Sequence, residues 1–69
     1  MLDQPHYQIA QRNPEQIPAQ RTIAYTFHAD SALHLVTAIS KEQPDTEYAV
    51  YGSTDPKHPI ARYRAGQRL

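Results

Sequence analysis

Period-two alternation is clearest from Thr22 to His28, where Ile23, Tyr25 and Phe27 share one face and Thr22, Ala24 and Thr26 the other. β-branched and aromatic residues in strict alternation mark a half-buried strand. The period then changes. Ala32, Leu35, Val36 and Ile39 recur at helical spacing, and Leu33 widens the stripe, which predicts a helix from about Ser31 to Glu42. Asp30 reads as its N-cap, because a carboxylate there accepts a first-turn N–H and suits the positive end of the helix dipole. Pro44 biases Gln43 out of the helical region and ends the helix.

Alternation resumes from Glu47 to Tyr51, with Tyr48 and Val50 opposed to Glu47, Ala49 and Tyr51. It returns from Ile60 to Ala65, where Ala61, Tyr63 and Ala65 oppose Ile60, Arg62 and Arg64. Between these strands, Gly52-Ser53-Thr54-Asp55-Pro56 carries turn chemistry. Gly66 closes the last strand, leaving residues 67–69 as a frayed tail. Near the N-terminus the alternation of His6–Arg12 is weaker, with Tyr7 and Ile9 on one side, and predicts a short strand at a sheet edge. Asn13-Pro14 signals a turn, and the prolines from Pro14 to Pro18 exclude a regular helix. Ile17 is expected to tuck in as a single apolar anchor.

The order is β-β-α-β-β, an α+β class whose simplest packing lays one helix across one face of an antiparallel sheet. The expected core is Ile23, Tyr25, Phe27, Leu35, Val36, Ile39, Tyr48 and Val50. It is thin, and a second copy of the chain would be an ordinary way to enlarge it.

Length supports the same picture. Residues 1–69 make one small domain, with residues 1–20 as a partly extended, Pro- and Gln-rich segment. A chain this short buries only roughly 60% of its unfolded surface and holds a stability of a few kcal/mol. The absence of cysteine excludes a disulfide framework, a thiolate metal site and a cysteine nucleophile, and points to an intracellular, cytoplasmic protein. No apolar run is long enough to span a bilayer. The polar, acidic start MLDQPHYQ lacks the apolar stretch of a secretory signal.

Charge changes the picture more. The formal net charge is zero, but it is segregated: five acids and one base lie between Asp30 and Asp55, four bases and no acid between Lys57 and Leu69. Arg62 and Arg64 share a strand face and could fork phosphates or carboxylates. The competing reading, which strand pairing favours, is that Glu47 or Asp45 neutralises them across the hairpin. Five of the six aromatic residues are tyrosines. Tyr51 and Tyr63, on neighbouring strands, are expected to pair into an exposed aromatic platform. The alternative register turns both toward the helix and Tyr48 outward, since a one-residue slip inverts every side chain.

Four histidines, His6, His28, His34 and His58, lack the i, i+4 spacing that sets two imidazoles on one helix face, so no metal site is expected. No Gly-rich phosphate loop is present, and Ser31, Ser40 and Ser53 lack a nucleophile-elbow context. The expectation is therefore a non-enzymatic protein without cofactor. Its leading reading is a protein-interaction module that presents a sheet face or edge to a protein partner or to a second copy of itself. Tyr51, Tyr63, Arg62 and Arg64 are the partner-binding residues. The alternative is nucleic-acid binding through the basic C-terminal hairpin. The element order is similar to that of several kinds of small domain. Some bind DNA through a sheet face, and some are phage or mobile-element accessory proteins. The likeness rests on no motif and transfers no residues.

Overall fold

Sheet formation begins with a hairpin, seen in a computed structural model that describes residues 5–69. Strands β1 (Tyr7–Arg12) and β2 (Gln20–Thr26) pair antiparallel. Their connection is a polar loop in which Asn13 N–H donates to the Ala19 carbonyl at 2.7 Å and Asn13 Oδ1 accepts the Glu15 N–H at 3.0 Å. Helix α1 (Ala29–Glu42) then crosses the sheet and delivers the chain to β3 (Glu47–Gly52). Strands β4 (Ala61–Arg64) and β5 (Gln67–Arg68) complete one five-stranded antiparallel sheet in the order β2-β1-β3-β4-β5. The architecture is a small α+β domain with one helix on one sheet face. No helix among the described residues is long and apolar enough to cross a membrane.

This order corrects the expected place of the first strand. β1 is not at an edge but lies between β2 and β3, so β2 and β3 run parallel to each other with β1 between them. A parallel pair needs a long crossover, and α1 supplies it. The N-terminal segment is thus central from Tyr7 onward, and residues 1–4 lie outside the described residues.

The core sits between α1 and one sheet face. Ile9, Ala32, Val36, Tyr48, Val50, Ala61 and Tyr63 form it, with Tyr7, Ala24, Leu33 and Ile39 packed around. Cross-strand register explains the set: Ile9 opposes Val50, Val50 opposes Ala61 and Tyr48 opposes Tyr63, so all point to the helix. Of the expected core, Val36, Tyr48 and Val50 are buried and Ile39 is half-buried. Ile23, Tyr25, Phe27 and Leu35 are instead exposed. β2 has the reverse orientation from the one its alternation suggested. Its small side, Ala24 and Thr26, is turned inward, because at the sheet margin there is little room beneath the helix. A bulge adds to this: Ile9 pairs with Ala24 and Ala10 with Thr22, leaving Ile23 as the unpaired extra residue. Ile17 does not tuck in; it is 98% exposed at the loop tip.

The helix begins earlier than its sequence signals suggest. His28, with extended backbone, occupies the N-cap, without a side-chain capping bond. Asp30 lies inside the first turn, where its charge still suits the dipole. The C-terminal end matches expectation at Glu42, and Gln43 N–H closes it on the Ile39 carbonyl at 3.2 Å. Residues 67–68 are not frayed. Ala65 and Gly66 both have positive φ (53° and 77°), the combination of a two-residue type I′ hairpin turn, and they return the chain as β5. Leu69 N–H donates to the Arg62 carbonyl at 2.8 Å.

Candidate binding face of the sheet

Among the described residues, no other element covers the sheet face away from α1. Pairing assigns its residues. Gln8, Ala10 and Arg12 of β1 oppose Tyr51, Ala49 and Glu47 of β3, and on the other side Tyr25, Thr22 and Gln20 of β2. Arg62 opposes Ala49, and Arg64 lies one step along the same face of β4. Apart from Tyr25, Tyr51 and the two alanines, the face is polar. Ala10 and Ala49 are 1% and 4% exposed, so larger neighbours close over them. The result is a low floor with taller side chains along its margins.

Hydrogen bonds fix several of those side chains. The Thr22 hydroxyl donates to Gln8 Oε1 at 3.2 Å, and the Tyr51 hydroxyl donates to Gln20 Oε1 at 3.2 Å, which ties β3 to β2 across β1. Glu47 is the electrostatic centre. Arg62 Nε donates to its Oε2 at 3.0 Å and Arg64 Nη2 to its Oε1 at 3.4 Å. The Arg62 hydrogen bond holds the Glu47 carboxyl below its ordinary value against an opposing effect of burial, and nearby Arg12 and Arg64 add to the lowering. The same bond raises Arg62.

Two depressions open on or beside this face. One, of about 280 Å³, runs over Ala49 between Gln20, Tyr51, Arg12 and Arg62, with Lys57 and Pro59 of the β3–β4 loop on its rim. The other, of about 450 Å³, lies at the end of the sheet. Asn13 and Glu15 of the β1–β2 loop and Asp45 and Thr46 border it, together with Arg12, Glu47 and Arg64. The β3–β4 loop is held by local bonds. Asp55 accepts the Lys57 N–H at 3.3 Å and contacts His58 Nδ1 at 3.1 Å, and the His58 bond lowers the Asp55 pKa. Among the described residues, no three His, Cys, Asp or Glu side chains come together as a metal-binding group.

Of the four residues singled out in the sequence, the fold brings Tyr51, Arg62 and Arg64 together on the open face. Tyr63 is separated from them. It is 8% exposed and faces the helix opposite Tyr48, so the expected pairing of Tyr51 with Tyr63 does not form. The alternative register is right for Tyr63, which faces the helix, but wrong for the other two: Tyr48 is buried, and Tyr51, three residues on, lies on the opposite, open face. Glu47 does pair with both hairpin arginines, as strand pairing favoured. Sequence reasoning missed Arg12, Gln20 and Lys57. The weak alternation of the first strand marked only Tyr7 and Ile9, and only the unexpected pairing of β1 with β3 brings Arg12 opposite Glu47.

Comparison of the chain with protein-family models, curated proteins and solved structures found no match.

Proposed function

We propose that this chain is a small, non-enzymatic intracellular interaction module whose open sheet face docks a protein partner. The observation that carries the reading is the uncovered face itself. Tyr51, Arg12, Arg62 and Arg64 stand on it around a floor of buried alanines. Tyrosine and arginine are the residue types that most often anchor protein interfaces. The intracellular placement rests on the lack of cysteine.

The test is partner capture by the wild-type chain, by an Arg62→Gln plus Arg64→Gln variant, and by a Lys41→Gln control on the helix. The reading expects a stoichiometric partner retained by wild type and control and lost by the double variant. Retention by the double variant, in a fold unchanged by circular dichroism, would remove this face from the interface.

Nucleic-acid binding is the second reading, favoured by one observation: Arg12, Lys57 and Arg62 line the depression over Ala49 against one acid, Glu47. It predicts affinity for oligonucleotides that falls steeply with salt as phosphate contacts release counterions.

A further inference from the structure

Arg12, Lys57 and Arg62 converge on the depression over Ala49, and we infer that it is a receptor for a carboxylate of an acidic protein segment; this rests on the open face being the docking surface. The donors there are not used up. Both Glu47 oxygens are already engaged, by Arg62 Nε and Arg64 Nη2, which leaves the terminal nitrogens of Arg62 free for a second acceptor. Arg12 and Lys57 form no side-chain ion pair among the described residues, although Arg12 stands directly opposite Glu47. Glu47 therefore holds the guanidinium groups of Arg62 and Arg64 in place, and its single negative charge does not balance them.

The shape fits a single short acidic side chain better than a continuous polyanion. The depression is about 280 Å³, with Ala49, Tyr51 and Pro59 beside the methylene groups of an entering Asp or Glu; Glu47 is its one acidic lining residue, against Arg12, Lys57 and Arg62. Two of its cationic rim residues come from different elements: Arg12 ends β1, and Lys57 sits in a loop where its backbone N–H donates to Asp55. A phosphodiester backbone carries a charge at every step and would gain only this short basic stretch, whereas a peptide can place one carboxylate in it. A planar carboxylate instead matches one guanidinium fork at a time.

The test titrates the isolated chain with a short end-blocked peptide carrying one glutamate and, separately, with a thymidine oligonucleotide at equal salt. Chemical-shift changes are followed at the Arg12 and Arg62 Nε–H groups and at Tyr51. The glutamate peptide is expected to move these signals selectively. Its dissociation constant should rise at least roughly tenfold in an Arg12→Gln plus Lys57→Gln variant, since the loss of even one of the two charge-assisted hydrogen bonds is worth about that much. Neither residue holds an ion pair among the described residues, so the variant is expected to keep the wild-type spectrum away from Glu47 and the depression. Unchanged affinity in the variant, or shifts centred on Arg21, Lys41 or Arg68, overturns the assignment. Tighter binding of the oligonucleotide also overturns it, in favour of phosphate. Partner capture by the Arg62 and Arg64 variant is read independently. Loss of the carboxylate site with capture still dependent on those arginines thus leaves the docking face standing.

Discussion

Two isoleucines on the first hairpin show how far a residue's role depends on its place in the sheet. Ile9 is fully buried against Val50 and the helix, whereas Ile23 is 39% exposed at a bulge. Ile9→Ala is expected to cost about 2–5 kcal/mol, the usual range for emptying a buried aliphatic site. Ile23→Ala should stay within about 0.5 kcal/mol, as exposed substitutions do. Urea denaturation of the two variants checks the contrast, and near-equal losses would contradict the assignment of β2 to the margin.

Gly66 offers a second residue-scale prediction. Its φ of 77° disfavours any side chain, and an added Cβ would sit 2.5 Å from Lys41 Cγ. Its N–H also donates to the buried Ser40 hydroxyl at 2.9 Å. Gly66→Ala is therefore expected to destabilise by more than about 1 kcal/mol in thermal or urea denaturation. Glu47 makes the third. Its carboxyl pKa is lowered in the fold from an ordinary 4.5, so the unfolded chain binds the proton more readily. The stabilisation is thus fully present above the ordinary value and lost as pH falls through the lowered one. Glu47→Gln should denature at lower urea than wild type near neutral pH. The gap should narrow once the wild-type carboxyl is protonated, and a pH-independent gap would refute this role.

At the scale of elements, the helix and the strands β3 and β4 were legible in the sequence, and the reasons are local. The helical stripe ends where Pro44 forbids continuation, and Tyr48–Val50 and Ala61–Tyr63 alternate with charged residues that must face solvent. What was not legible is which side of β2 is buried. Its larger residues make the stronger pattern, but they lose to position: an edge strand only partly roofed by the helix buries small residues and leaves large ones outside. The last hairpin was missed because Ala65 adopts a positive φ that alanine rarely takes, so its turn chemistry is visible only through Gly66. The candidate site was half legible. Arg62, Arg64 and Tyr51 follow from alternation along their strands, while Arg12 needs the strand order. Strand order also predicts amide exchange. Amides of β1 and β3, flanked on both sides, should exchange far more slowly than those of β5 and of the loop from Asn13 to Ala19. Fast exchange throughout β1 would contradict its central place.

For the whole molecule, the decisive feature is that the sheet is closed by its N-terminal strand. β2 and β3 do not touch, and β1 joins them. Removing residues 1–12 therefore separates the two halves of the sheet and should leave a chain without cooperative unfolding. Removing residues 67–69 takes away only the short β5 and should preserve a cooperative, less stable fold. Circular dichroism melts distinguish these outcomes, and a truncated chain that still melts cooperatively without β1 would refute the topology.

The bulge at Ile23 bears on how copies of this chain coexist in a concentrated solution. Open sheets carry two free margins, each a template for adding another strand and, by repetition, for growing insoluble aggregates. Here one margin is the two-residue β5 and the other is β2, where the extra residue interrupts the hydrogen-bonding rhythm and Arg21 adds charge. Deleting Ile23 would straighten that margin into a regular ladder, turning a strand end that resists recruitment into one that invites it.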